Sequence, residues 1–251
     1  MKLLVLSTCD QFDTIEGKNI LKPNGQHKAL EDSLIKHGYD YEFFLYGFVF
    51  GEQYKVIKTF VDEYKGDATH ILYCDMFDNV ALAPPSEVIA KFEAFNCKML
   101  ISVEKACFPN DSRDKYHRPD NYPESTTDWK YINGGGCLFE IAYFKELCTK
   151  HPFNTERMMD PDWLAELYLN NRDNIMLDTN CDIFQCLAHS NRDEWEIEEI
   201  KNIAYIETIN NGYVVSGTNR IRNKATQSLP IFLHGNGHTN MDWVYELNNG
   251  I

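Results

Sequence analysis

No apolar run in this chain approaches the roughly 20 residues that a bilayer-spanning helix needs, so the sequence predicts no membrane segment. Basic charge is also scarce. Twenty-four Lys and Arg face 38 Asp and Glu, a formal net charge of −14, which disfavours a polyanion-binding role because phosphate-backbone recognition needs clustered cations. The eight cysteines include no Cys-x-x-Cys pair and no zinc-like spacing, which speaks against a zinc ribbon or a thioredoxin-type redox site. The apolar stretch Met1 to Cys9 is too short for a signal peptide, and Asp10, Asp13 and Glu16 follow it at once. Reduced cysteines and a cytoplasmic location are therefore expected, with Cys74 and Cys137 behaving as small hydrophobes inside apolar runs. There is no internal repeat and no low-complexity tract. What the sequence does hold is 43% apolar and 13% aromatic residues over 251 positions, enough for one domain with a sizeable core.

Along the chain, apolar runs alternate with amphipathic stretches. Lys2 to Ser7 reads as a buried strand, about Gly25 to His37 as a helix, and Tyr41 to Tyr46 as a strand. Gln53 to Tyr64 places Val56, Ile57, Phe60 and Val61 on one helical face, and Thr69 to Cys74 is strand-like and ends on acids. Ser86 to Ala94 follows the helix-start signal Pro84-Pro85, and Lys98 to Ser102 is again a strand. This alternation predicts an α/β fold with a mixed, mostly parallel, Rossmann-like sheet flanked by helices. Ligands of such sheets bind outside the carboxyl ends of the strands, so Ser7-Thr8, Asp75 and Ser102 should share one edge. Phe108 to Trp129 reads as a long loop over that edge, Tyr131 to Phe139 as a strand, Asp160 to Leu169 as a helix, and Ile231 to His234 as a late strand.

Four local patterns carry candidate chemistry. In Asp75-Met-Phe-Asp78 two carboxylates on a turn after a strand suit a hard cation that neutralises a diphosphate, although such pairs also serve as turn formers. Leu233-His-Gly-Asn-Gly237 offers an imidazole ligand and glycines that let backbone amides approach an anion; an ordinary turn would look the same. Asn133, Gly134 and Gly135 of Tyr131-Ile-Asn-Gly-Gly-Gly136 could admit a sugar close to the backbone, or form a bulge. Asp160 and Asp162 stand at a helix start, where acids also act as caps.

The order of these patterns resembles the glycosyltransferase domain of the procollagen lysyl hydroxylases, and more loosely the collagen galactosyltransferases, from Leu3 almost to Asn249. Asp75-Met-Phe-Asp-Asn-Val-Ala-Leu-Ala-Pro84 matches that family's Asp-x-x-Asp, Val-x-Leu-Ala and proline. Ser102-Val-Glu-Lys-Ala-Cys-Phe-Pro109, Tyr131 to Gly136 and Asp160 to Leu169 follow in the family's order. Leu177-Asp178 with Ile183-Phe-Gln185, and then Leu229-Pro-Ile-Phe-Leu-His-Gly-Asn-Gly237, complete the series.

The resemblance implies a GT-A type fold spanning residues 1–251 as a single glycosyltransferase domain. Its nucleotide-binding half would cover about 1–105 and its acceptor and metal-completing half about 106–251. It implies a Mn²⁺ or Mg²⁺ ion on Asp75, Asp78 and His234 and a UDP-sugar donor contacted by Thr8, Lys55, Phe77, Gly134, Gly135, Gly235 and Gly237. Glu104, Asn133, Asp160 and Asp162 would surround the donor sugar and acceptor as the catalytic set. A hexose, glucose or galactose, would move with retention to a hydroxyl on a glycan, a glycosylated hydroxylysine-like residue or a small molecule. The hydroxylases' iron-binding oxygenase domain is expected to be absent. Two positions depart from the family: Asn240 stands where it has a Lys, and Trp163 where it commonly has Gln. A nucleotidyltransferase or phosphatase would fit the acid pair but leave His234 and its glycines without a role. A degenerate binding module is the non-enzymatic alternative. Nucleic acid is a disfavoured partner, although Arg220 to Lys224 forms a local basic strip.

Overall fold

The computed structural model describes residues 1–9, 12–15, 18–21, 27–46, 52–109, 116–153, 159–190, 194–200, 218–237 and 239–248. Its centre is a six-stranded sheet of β1 (Leu3–Cys9), β4 (Tyr41–Leu45), β5 (His70–Cys74), β7 (Met99–Glu104), β8 (Tyr131–Glu140) and β9 (Ile175–Leu177), in the order β4-β1-β5-β8-β7-β9. Five strands run the same way; β8 alone is antiparallel to both neighbours, β5 and β7. Among the described residues two antiparallel strand pairs stand apart from this sheet. One pairs β2 (Phe12–Ile15) with β3 (Lys18–Leu21); the other pairs β11 (Trp195–Ile200) with β12 (Thr218–Asn223).

All seven residues of β1 are buried, as expected of a strand covered on both faces. Its side chains alternate between two cores. Leu4 and Leu6 join the core covered by α2 (Gln53–Glu63), α4 (Ile141–Lys150) and α5 (Asp160–Asn170). Leu3 and Val5 join the core beneath α1 (Lys28–His37) and α3 (Pro85–Phe95). The face predicted for α2 is the buried one, with Val56, Ile57, Phe60 and Val61 inside and Tyr54 beside them. Pro85 occupies the first turn of α3, where its missing N–H costs nothing. The first residues expected in α1, from Gly25, and residues 110–115 of the expected loop lie outside the described residues.

A smaller three-stranded sheet lies at the carboxyl edge: β10 (Phe184–Cys186), β13 (Phe232–His234) and β6 (Asn79–Ala81). The pairing of His234 with Asn79 carries the late strand to the acids that follow β5. The last helix, α6 (Asp242–Asn248), is entered through Asn240, whose Oδ1 accepts the Asp242 amide at 2.7 Å.

Buried Asp178 organises the turn into β10, its carboxylate accepting the amides of Asp182, Ile183 and Phe184, each at 2.8 Å. Of the basic strip Arg220 to Lys224, Arg222 and Lys224 reach the surface and Arg220 does not. Arg220 is buried and makes a bidentate pair with Glu87 of α3 at 2.9 and 3.0 Å, so its charge is matched internally. Among the described residues no helix is long and apolar enough to cross a membrane. Cys74 and Cys137 are buried thiols in neighbouring core strands.

Candidate active site

Parallel strands bring their carboxyl ends to one edge, and the contacts across that edge are direct. Ser7 at the end of β1 donates to the carbonyl of Cys74 at the end of β5 at 2.6 Å, and Ser102 of β7 lies 3.4 Å from the thiol of Cys186 in β10. Asp75 follows β5 immediately, with its amide bound to the Gly135 carbonyl of β8.

Asp75, Asp78 and His234 converge there. Each offers one ligand atom, and the three atoms lie within 4.8 Å of one another. His234 Nε2 is 3.5 Å from Asp75 Oδ2 and 3.3 Å from Asp78 Oδ1. The carboxylates are about one-third exposed (31% and 35%) while the ring is 6% exposed, so a cation would meet them from the cleft with the imidazole behind. Burial alone would favour a neutral ring, but the adjoining Asp78 carboxylate and the Cys186 thiol hold the His234 pKa well above its ordinary value. Burial raises Asp75, the His234 charge opposes this, and the Asp78 charge adds to it. Two carboxylates and one imidazole at this spacing fit a divalent cation, whose charge would relieve the repulsion between the acids.

Glycine is required at one point of this floor. A Cβ on Gly135 would stand 2.2 Å from His234 Cε1 and 2.5 Å from Asp75 Oδ2. The amide of Gly235, expected to face a phosphate, instead donates to the Asp78 carbonyl at 2.7 Å, which ties the late turn to the acidic turn. Gly237 has a φ of +66°, the left-handed conformation that closes this turn.

Beside the triad lies a cleft of about 690 Å³ lined by Thr8, Asp75, Phe77, Asp78 and Gly235 from the expected set. Gln53, Tyr73, Met76, Thr239, Asn240, Met241, Asp242 and Tyr245 line it as well. Asn240, the position of the missing Lys, thus faces the cleft. Lys55 is placed differently: its ammonium is exposed, 3.6 Å from Glu52, and is not among the residues of the cleft wall. The contribution of α6 was not legible as a site, although Asn240 as a cap and the spacing of Met241 and Val244 would have marked the helix.

The residues expected around the sugar and acceptor divide into two groups. Glu104 is buried at the end of β7 and accepts Asn133 Nδ2 at 2.9 Å and Asn236 Nδ2 at 2.8 Å. Asn133 Oδ1 takes the Gly135 amide at 2.9 Å, and Asn236 Oδ1 the Ala188 amide at 3.0 Å. One carboxylate therefore locks the glycine floor and the His-Gly-Asn-Gly turn together; burial raises its pKa, and the Asn133 hydrogen bond opposes the shift.

Asp160 and Asp162 serve helix ends. Asp160 Oδ2 and Oδ1 accept the Gln53 and Tyr54 amides at 3.0 and 3.1 Å, capping α2 from the start of α5. Burial pushes this carboxyl up to about 7 against the pull of those amides. Asp162 Oδ2 accepts the Met159 amide at 3.0 Å, reaching back over the first turn of α5. Gly134 packs on Asp160, where a Cβ would lie 3.3 Å from that of the acid. Trp163 points into the core, 1% exposed, its indole N–H on the His151 carbonyl.

A strand order with one antiparallel member, acids after a strand and a late histidine are the arrangement of a GT-A type fold. The bifunctional glycosyltransferase WbbM shares the fold, with a TM-score of 0.52 at 12% identity over 98% of this chain and 49% of that one. The PLOD GT domain family matches residues 49–249, and the chain belongs to that family. Among curated relatives, human "Multifunctional procollagen lysine hydroxylase and glycosyltransferase LH3" is 26% identical over 205 residues, 78% of this chain and 24% of that protein. "Uncharacterized protein R699" of Acanthamoeba polyphaga mimivirus is 27% identical over 169 residues, 66% of this chain and 31% of that protein. The matched part of the chain thus spans 24% to 31% of the length of these relatives. Family and fold together support a glycosyltransferase.

Proposed function

We propose that this domain transfers a hexose, glucose or galactose, from a UDP-sugar to a hydroxyl acceptor, with a divalent cation, Mn²⁺ or Mg²⁺, held by Asp75, Asp78 and His234. The observation that carries this reading is the convergence of the three side chains at the carboxyl edge, beside a cleft with aromatic walls at Phe77 and Tyr245. A bound cation supplies charge to the diphosphate as it leaves, the kind of stabilisation that counts only as the bond breaks. The protein's own residues position the partners. Glu104 fixes the glycine floor and the His234 turn, and Thr8 and Phe77 line the cleft, which supports their contact with a nucleoside.

The reaction breaks the bond between sugar C1 and the diphosphate oxygen and forms one between C1 and the acceptor oxygen. The acceptor proton passes to the leaving diphosphate. Retention is supported by how the nearby acids are engaged: Asp160 caps α2 with both oxygens and Asp162 reaches back to the Met159 amide, so neither is presented as an in-line base. The acceptor is a hydroxyl on a glycan, on a glycosylated hydroxylysine-like residue or on a small molecule.

The test is incubation with UDP-glucose and UDP-galactose, with and without Mn²⁺, following free UDP and the anomeric proton of the product. Cation-dependent UDP release with an α product is expected. A β product would overturn retention, hexose 1-phosphate release would indicate nucleotidyl transfer, and no turnover or UDP binding with any donor would leave a binding module.

A further inference from the structure

The oxygens of Asp75 are not equivalent. Oδ2 faces His234 Nε2 at 3.5 Å and lies over Gly135, while Oδ1 accepts a hydrogen bond from the Tyr73 hydroxyl at 2.8 Å. Residues two apart on a strand share a face, so Tyr73 at the end of β5 reaches the carboxylate that follows it. The hydroxyl has little freedom to move. Tyr73 is 1% exposed, its ring packs edge-on against Tyr54 with centroids 5.7 Å apart, and β1 and β8 flank it at Leu6 and Cys137. Thr8 Oγ1 stands 3.5 Å behind the hydroxyl.

We propose that Tyr73 is a positioning residue that fixes Asp75 as a one-oxygen ligand and so sets the site's preference for a small six-coordinate cation over Ca²⁺. The inference rests on the metal-site reading above. A cation chelated by both oxygens of Asp75 would have to compete with the Tyr73 hydroxyl for Oδ1. Mg²⁺ and Mn²⁺ fill an octahedron with one donor atom from each ligand, whereas Ca²⁺ gathers six to eight oxygens and commonly takes both from a carboxylate. Holding Oδ1 therefore costs Ca²⁺ a contact that the smaller ions do not use. It also fixes the direction in which Oδ2 meets the ion, the task that partners behind the ligands perform at metal sites.

Tyr73→Phe keeps the packed ring and removes only the hydroxyl. Mn²⁺ binding is read by the electron paramagnetic resonance signal of the free ion, Ca²⁺ binding by competition, and folding by the thermal midpoint. The variant is expected to bind Mn²⁺ at least about tenfold more weakly, with Ca²⁺ affinity unchanged or improved, so the Mn²⁺ to Ca²⁺ ratio falls by that factor. An unchanged ratio overturns the proposal, including the case where both affinities and the thermal midpoint fall together. If the wild-type protein binds neither ion, the metal-site reading fails and this inference with it. If Tyr73→Phe does not fold, Thr8→Val withdraws the hydroxyl behind Tyr73 and reports the same ratio, with a smaller shift expected and an unchanged ratio again overturning the proposal.

Discussion

Gly135 lies against the ring of His234 with no room for a side chain: the nearest ring atom would be 2.2 Å from a Cβ. Because the Asp75 carboxylate would also be struck, Gly135→Ala must displace two of the three ligands together. Divalent-cation affinity should fall by roughly 100-fold, the scale seen when the support of a metal ligand is lost. Titration with Mn²⁺ checks this, and wild-type affinity in the variant would remove Gly135 from the site.

Metal binding should release a proton. Asp78 and Cys186 keep the His234 pKa well above its ordinary value, so the ring carries a proton near neutrality that a cation must displace. Apparent Mn²⁺ affinity is expected to rise with pH by up to about tenfold per unit below that pKa. Calorimetry in buffers of different ionisation enthalpy measures the release directly. Asp78→Asn should weaken both binding and proton release.

The caps on α2 and α5 separate architecture from chemistry at Asp160. Asp160→Ala strips two first-turn amides of their acceptor and should cost about 1–2 kcal/mol of stability. Asp160→Asn, which keeps one acceptor oxygen, should lose less. Urea midpoints decide: unchanged stability in the Ala variant would refute the capping role and return the acid to the acceptor side.

Acid unfolding should show two successive losses. His37 is buried beside the charges of Lys36 and Arg220, and burial with those charges lowers its pKa from 6.5 to about 3. The unfolded chain therefore takes up the proton first, and stability is lost as pH falls from about 6.5 towards 3. Glu87 is raised by burial but lowered more by Arg220 and Lys91, for a net value of about 2 against an ordinary 4.5. Its contribution is present above pH 4.5 and is lost as pH falls through about 2. Glu87→Gln should cost about 3–5 kcal/mol at neutral pH, because Arg220 keeps its charge in the core. The gap between variant and wild type should close in acid, which unfolding midpoints across pH will test.

The elements that sequence reading found are those with long apolar periodicity, as β1, α2 and β5 illustrate. It missed α4 because β8 ends at Glu140 and the helix begins at Ile141, with no glycine, proline or polar cap between them. Strands β6, β9 and β10 are three residues each, too short to show a period, whereas β13, equally short, was legible from the apolar run at Ile231 to Leu233. At the site, local motifs identified Asp75, Asp78 and His234, but the resemblance rather than any spacing joined the late histidine to the acids. The cap that Asp160 makes on the amide of Gln53 spans 107 residues, so the position read as an acidic helix start and its partner was out of sight.

The hydrogen bond between Glu104 and Asn236 joins residues 132 apart, and its consequence is a matter of timing. Ribosomes make roughly 5–20 residues each second, so the acids and most of the central sheet emerge on the order of ten seconds before the histidine that completes them. During that interval a nascent chain would display a paired carboxylate turn with no third ligand. With a cation held as proposed, such a domain would be blind to it until the strand Phe232–His234 is delivered, and a translation arrest upstream of Ile231 would leave the acid pair without its imidazole.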